Sequence, residues 1–172
     1  MSGRQIQVVP YDPQWVVTFA QEQQRLLACI GSNALRIDHI GSTSVPGLIA
    51  KPVIDMLVEV TDLDALDQST PALQALGYEA RGEYGIPGRR YFCKGGAQRT
   101  HHLHAYARGD NHLLRHRRFR DYLIAHPKVM AEYAQVKHAA VLQSNGRSSL
   151  YQALKEDFIA RHEALSLAWH GS

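Results

Sequence analysis

Apolar residues recur at helical spacing over Trp15, Val16, Phe19, Leu26, Leu27 and Ile30, which predicts an amphipathic helix of about 18 residues. Asp12 is placed to cap its start, and Pro13 suits the first helical position because its missing N–H would have no partner there. Gly31 ends it. Ahead of this helix, residues 5–9 (Gln-Ile-Gln-Val-Val) predict a short edge strand that Pro10 and Tyr11 break. The run Leu35-Arg36-Ile37-Asp38-His39-Ile40 alternates like a half-buried strand. Residues 53–60 are dense in β-branched and aliphatic side chains and predict a central strand. Helical spacing returns over 62–76, with Leu63, Leu66 and Leu73 as the buried face and Gly77 as the stop. Residues 78–84, 89–94 and 99–106 predict three strands, joined by Gly85-Ile86-Pro87-Gly88 and Gly95-Gly96 into an antiparallel meander. From Asn111 the spacing is helical: one helix closed by His126-Pro127, a second from Val129 to Val141, and a third through Leu150, Leu154, Phe158 and Leu165. Strands clustered together and helices set apart predict an α+β fold. The 172 residues predict one domain, a sheet portion over about 1–108 and a helical portion over about 109–172.

Charge changes that picture only locally. Nineteen Lys and Arg against 16 Asp and Glu give a net charge of +3, which is no nucleic-acid-binding signature. The basic residues are unevenly spread, however, so a local cationic pocket is expected. Two cysteines, Cys29 and Cys93, without a Cys-x-x-Cys spacing predict incidental thiols in a reduced chain. The opening residues lack a signal-peptide pattern, and no apolar run approaches the roughly 18 residues of a membrane span, so a cytoplasmic protein is expected.

One stretch concentrates candidate chemistry. Between the predicted strands at 35–40 and 53–60 lies a turn of small hydroxylated residues and glycines, Gly41-Ser42-Thr43-Ser44-Val45-Pro46-Gly47, followed by Lys51-Pro52. Asp55 then sits inside an otherwise apolar run. Further on, His102 and His104 share one face of their strand, with His101 and Leu103 on the other. Two imidazoles and one carboxylate suit a transition metal such as Zn²⁺, Mn²⁺ or Fe²⁺. The same histidines also suit hydrogen bonds to phosphate or acid–base work. Tyr133 and Lys137, and again Tyr151 and Lys155, repeat a Tyr-x-x-x-Lys spacing that puts each pair on one helix face. They either line the open side of the sheet or pack as core with lysine stems over the edge.

Ile40 to Leu48, Lys51-Pro52-Val53-Ile54-Asp55, Arg90-Tyr91-Phe92, His102-Leu103-His104, Phe119 to Leu123 and the opening Pro10 to Trp15 together resemble the GrpB family over nearly the whole chain. That family resembles in turn a branch of the nucleotidyltransferase fold shared with polymerase-beta-like enzymes, and members fused to dephospho-coenzyme A kinase suggest a link to nucleotide or coenzyme A metabolism. The resemblance implies that Gly41 and Ser42 form a phosphate-contacting turn, aided by Thr43 and Ser44, and that Asp55 is a metal-binding carboxylate on the next strand. Lys51, Arg90 and Arg120, which fall within the matching motifs, are expected to offset anionic charge on a substrate. Tyr133, Lys137, Tyr151 and Lys155 join them as substrate-binding candidates.

The sequence departs from the polymerase-beta-like pattern at one point. Magnesium sites of that fold pair carboxylates one residue apart, but Val53 and Leu57 flank Asp55 at that spacing. Glu59 shares the face of Asp55 but lies about 13 Å along the strand at ~3.3 Å per residue. Three functions follow as expectations. The first is binding of a nucleotide or phosphorylated small molecule with phosphoryl or nucleotidyl transfer, using a divalent Mg²⁺, Mn²⁺ or Zn²⁺ ion. The second is a non-catalytic ligand-binding or regulatory module. The third is metal-dependent hydrolysis on Asp55, His102 and His104.

Overall fold

The computed structural model describes residues 6–169. Its strands are β1 (Ala34–Ile40), β2 (Ile54–Val60), β3 (Tyr78–Ala80), β4 (Arg89–Lys94) and β5 (His101–Ala107). Its helices are α1 (Gln14–Ile30), α2 (Leu63–Gln68), α3 (Thr70–Ala75), α4 (Asn111–Ala125), α5 (Pro127–Ser144) and α6 (Ser148–Ala168). The strands form one sheet in the order β1-β2-β5-β4-β3. β2 and β5 run parallel and every other neighbouring pair is antiparallel. The α+β architecture expected from the element order is therefore the one observed.

Strand alternation sorts the sheet into two faces. Ile54, Met56 and Val58 of β2, Leu103 and Ala105 of β5, and Phe92 of β4 point to one side. There they pack with Trp15, Leu26 and Ile30 of α1, Leu66 of α2 and Leu73 of α3. Asp55 and Leu57 of β2 and His102, His104 and Tyr106 of β5 occupy the opposite face, toward α4–α6. Leu57 and Tyr106 pack there against Leu113 of α4. A second apolar cluster joins Val45 and Leu48, from the connection after β1, to Leu123, Tyr133 and Phe158 of the three late helices. This cluster seats α5 and α6 over the connection and so over the site.

Asp12 accepts a hydrogen bond from the Gln14 N–H at 2.9 Å and starts α1, as expected of that residue. Asp110 does the same for α4 from the His112 N–H at 2.8 Å. Residues 62–76 depart from the single predicted helix. They form α2 and α3, with Ser69 between them and Pro71 in the first turn of α3. Pro71 cannot donate to the carbonyl four residues back and its ring crowds that carbonyl, so the helix restarts rather than runs through. β3 is shorter than the predicted 78–84, although Arg81 N–H still donates to Tyr91 O at 2.8 Å. Positive φ at Gly82, Tyr84 and Gly85 then turns the chain away from the sheet. Of the predicted strand at 5–9, Gln5 lies outside the described residues, and Val9 makes an isolated antiparallel bridge with Ala50. The half-turn after β1 is a short 3₁₀ helix, Ser42–Ser44.

One charged residue of α1 is fully buried. Glu22 is 0% exposed and bonds Tyr78 Oη at 2.5 Å, Lys94 Nζ at 2.9 Å and Arg25 Nη1 at 3.1 Å. It ties α1 to β3 and β4. Burial opposes its charge, and the bonds from Tyr78, Lys94 and Arg25 outweigh that and lower its pKa.

Candidate functional site

A pocket of about 350 Å³ opens on the α4–α6 face of the sheet. β2 and β5 supply its floor through Asp55, His102 and His104, and Tyr91 of β4 borders them. The connection from β1 to β2 supplies Gly41, Ser42, Thr43, Ala50, Lys51 and Val53. Tyr133 and Lys137 of α5 and Gln152 and Lys155 of α6 close the top.

Asp55 stands opposite His102 in the parallel β2–β5 register. Its Oδ1 lies 3.3 Å from His102 Nδ1 and 3.6 Å from His104 Nε2, and its side chain is 30% exposed. Burial raises its pKa, but His102 and His104, through hydrogen bonding and charge, outweigh that and hold the carboxyl well below the usual range. Gly41 is what lets the turn approach this carboxylate. Its φ is +73°, and a Cβ built there meets Asp55 Oδ2 at 2.8 Å and Asp55 Cβ at 3.1 Å. Only glycine fits both the backbone angle and the space.

The three hydroxyls expected to cradle phosphate are engaged within the protein. Ser42 Oγ lies 2.5 Å from Lys137 Nζ. Thr43 Oγ1 lies 2.8 Å from His39 Nε2, and the His39 ring stacks on Phe19. Ser44 Oγ donates to Gly41 O and closes the turn, away from the pocket lining. Burial, joined by the charge of Arg120 and opposed by Asp55, lowers the His39 pKa to about 4.

The cations sort cleanly. Lys51, Lys137 and Lys155 line the pocket. Lys137 is 2% exposed and Lys155 6%. Lys137 also donates to Ile49 O at 3.1 Å and lies over the Tyr133 ring, while Lys155 lies over the Tyr151 ring. Burial and the neighbouring charges of Lys155 and Lys51 push Lys137 well below the ordinary lysine value, against the opposing pull of Asp55. Burial and Lys51 lower Lys155 to about 8. Arg90 and Arg120, by contrast, are outside the pocket. Arg90 is on the α1–α3 side and holds Asp67 through two bonds of 2.8 and 3.2 Å. Arg120 bonds Asp38, Asp121 and the His39 carbonyl. Tyr133 lines the pocket and stacks on Phe158, whereas Tyr151 is buried with Ile6 and Ala140. The two Tyr-x-x-x-Lys pairs thus split between the expected alternatives: both lysines and Tyr133 face the pocket, and Tyr151 packs.

Sequence spacing alone did not single out Gln152 or Tyr91 as ligand contacts. Gln152 is three residues before Lys155 on α6, so helical periodicity carried that signal. Tyr91 is opposite His104 in the β4–β5 register and shares its face.

Among the described residues, no three His, Cys, Asp or Glu side chains are grouped so as to hold a metal ion. Arg89 Nη1 lies 3.5 Å from His104 Nδ1, on the side of the ring away from Asp55. Leu57, at the paired-carboxylate position, is 0% exposed. Glu59 is bonded to Arg117 at 2.8 Å, and the same arginine holds Asp38 at 2.9 Å. The residues present do not fit a pair of magnesium ions, which want several carboxylate oxygens.

The family model for the GrpB protein matches residues 5–164, and the chain belongs to that family. It is 42% identical over 166 residues to the UPF0157 protein YqkA of Bacillus subtilis, covering 96% of this chain and 48% of that protein. It is 31% identical to a dephospho-CoA kinase of Mycolicibacterium paratuberculosis, over 95% of this chain and 46% of that one. The chain thus spans about half the length of each. The crystal structure of the conserved protein GrpB from Enterococcus faecalis matches with a TM-score of 0.91 at 39% identity, over 94% of this chain and 98% of that one.

Proposed function

We propose that this GrpB-family protein binds a phosphorylated small molecule, with a nucleotide as the leading case, in the pocket between the sheet and α5–α6. The charge around the cavity carries the proposal: Lys51, Lys137 and Lys155 surround one carboxylate, Asp55. Lys137 and Lys155 are nearly buried; Lys155 and Lys51 depress proton binding at Lys137, and Lys51 does so at Lys155. An anion entering among them adds negative charge beside the buried ammonium groups of Lys137 and Lys155. A phosphate group, with three acceptor oxygens, offers each lysine a partner. The match to about half of a dephospho-CoA kinase makes nucleotides and coenzyme A precursors the first ligands to try.

If the bound molecule reacts, phosphoryl or nucleotidyl transfer is the class. Asp55, kept ionised by His102 and His104, then orients an acceptor hydroxyl by accepting its hydrogen bond. A second reading, a binding or regulatory module without turnover, has its own support: Leu57 fills the position of a paired carboxylate and Glu59 is committed to Arg117. Asp55→Asn separates the two. It abolishes turnover in the first and leaves binding intact in the second.

The test is calorimetric titration of the protein with inorganic phosphate, ATP, GTP and dephospho-CoA, each with and without Mg²⁺. Binding is expected to weaken as salt rises and to weaken about tenfold or more in Lys155→Ala, each tenfold being about 1.4 kcal/mol. No heat from any of these ligands at millimolar concentration overturns the proposal.

A further inference from the structure

The serine of the Gly41–Ser44 turn does more than shape a phosphate pocket. Ser42 Oγ and Lys137 Nζ are 2.5 Å apart and both line the cavity. Tyr133 lines the same cavity and interacts with Ser42. Lys137 comes from mid-α5, and its Nζ is fixed by the Ile49 carbonyl at 3.1 Å and by the Tyr133 ring 4.9 Å away. One turn of helix separates Tyr133 from Lys137, so both side chains reach Ser42 from the same face. Tyr133 is held in turn by stacking on Phe158.

We propose that Ser42 is a nucleophile, with Lys137 as its general base and Tyr133 as a positioning residue, and that it attacks phosphoric esters or anhydrides bound in the pocket. Choosing phosphoric substrates rests on the anion-binding function proposed above; the nucleophilicity of Ser42 stands on its own geometry. Serine alone is a weak nucleophile and needs an adjacent base to take its proton. A lysine performs that role only when its ammonium is destabilised, and here burial with Lys51 and Lys155 nearby does so. In the neutral amine, the Nζ lone pair accepts from the Ser42 O–H while an N–H donates to Ile49 O. The carbonyl partner is therefore matched to the amine form as well as to the ammonium.

In the step itself, Ser42 Oγ forms a bond to phosphorus and its proton passes to Lys137 Nζ. The bond from phosphorus to the leaving group breaks, and the leaving group departs with that electron pair as an alkoxide, or as a phosphate when the substrate is an anhydride. Lys137, now an ammonium, can return the proton to it. Lys51 and Lys155 face the negative charge on the phosphoryl oxygens. The product is a seryl phosphoester on the protein. Groups that face Lys137 and share its titration are Lys51 on the β1–β2 connection, Lys155 on α6, Asp55 on β2 and Tyr133 on its own helix.

The test uses an uncharged alkyl fluorophosphonate, which replaces the leaving group by fluoride and needs no anion binding. The full chain is incubated with it across pH 6–10, and adducts are read by intact mass and peptide mapping. One adduct at Ser42 is expected, with a rate that rises with pH and levels below pH 10. Ser42→Ala removes the adduct and Ser44→Ala keeps it. Lys137→Met slows labelling by about 100-fold, the low end of what a general base supplies. Circular dichroism checks that each variant is folded. Should Lys137→Met not fold, the pH profile of the native protein decides: a rate that keeps climbing through pH 10 overturns the assignment of Lys137. No adduct at Ser42 in the folded native protein overturns the nucleophile itself. Labelling without phosphate binding refutes the anion pocket and leaves the nucleophile standing; phosphate binding without labelling does the reverse.

Discussion

Replacing Gly41 by alanine separates a backbone requirement from a packing requirement, because the chain contains its own control. Gly41 has φ +73° and ψ −173°, and Gly31 has φ +72° and ψ −146°. Both occupy a region that is costly for any residue with a Cβ, about 1–3 kcal/mol. They differ in surroundings. A Cβ at Gly31 meets nothing within 4 Å, whereas one at Gly41 meets Asp55 Oδ2 at 2.8 Å and Asp55 Cγ at 3.3 Å. Relieving the contact means rotating the Asp55 carboxylate away from His102 and His104 or displacing the turn. Overpacking of this kind costs about 1–3 kcal/mol more. Gly→Ala also acts on the unfolded chain, but equally at both sites, so the comparison cancels it. Urea titrations of Gly31→Ala and Gly41→Ala therefore should differ by about 1–3 kcal/mol, with Gly41→Ala the less stable. For a domain of this size that is a gap of roughly 2–12 °C in Tm. Equal losses in the two variants would refute the claim that Asp55 dictates glycine at position 41.

Further consequences follow from the buried charges. Lys155 has its pKa lowered to about 8 from 10.5, so between pH 8 and 9 the unfolded chain binds more protons and stability rises with pH. Lys155→Met should flatten that rise and stabilise the ligand-free protein by up to about 3 kcal/mol at pH 7, as measured by urea denaturation across pH. Asp55 and Asp38 both have lowered pKa values, so their contributions are complete above the ordinary carboxylate value near 4 and fade as pH falls below it. Denaturation midpoints should drop steeply from pH 4 to pH 2. Glu22→Gln leaves Lys94 facing a neutral amide and should destabilise by about 3–5 kcal/mol in the same assay, as breaking a buried pair does. Arg90→Ala removes only a partly exposed pair with Asp67. It should change stability by less than about 1 kcal/mol and leave phosphate binding unaltered in calorimetry.

The parts of the fold legible in the sequence are those whose signal is local. The apolar spacing of α1, the alternation of β1 and the glycine-rich turns between β4 and β5 each depend on neighbours a few residues away, and each falls where expected. Pro71 was equally local, but the leucine spacing over 62–76 masked it. Glu22 was illegible for a different reason. Its partners Tyr78 and Lys94 are 56 and 72 residues distant, so nothing around it distinguishes a buried glutamate from a surface one. In the site, Gly41, Ser42, Lys51, Asp55, His102 and His104 were legible as a constellation and come together. Arg90 was misplaced because motif membership was weighed over parity: it alternates with Tyr91, which faces the pocket. Four-residue spacing put Lys137 and Lys155 on helix faces, but which face meets the sheet depends on how α5 and α6 cross, and that is set by the cluster around Val45 and Leu48.

That crossing changes the chemistry the sheet can support. Sites that neutralise polyphosphate with two metals hold them with several carboxylates. Here β2 offers one carboxylate, Asp55, already beside two histidines, and α5 and α6 bring Lys137 and Lys155 to the same cavity. Protein cations and bound divalent cations compete for the same negative charge, so under the proposed function the lysines, rather than a metal at Asp55, meet the anion. Lys137 and Lys155 carry a cost in the empty protein, expressed in their lowered pKa values. An anion reverses that cost at Lys155 by raising its value, so binding must take up protons where Lys155 is partly neutral. Calorimetry of phosphate binding at pH 8 in buffers of different ionisation enthalpy should therefore give different heats, with a slope corresponding to about half a proton or more drawn onto the protein. Lys155→Met should remove most of the slope, since Lys137 stays an amine beside Ser42. Identical heats in all buffers would mean that the ligand does not meet these ammonium groups, and the pocket's charge would then belong to the fold alone.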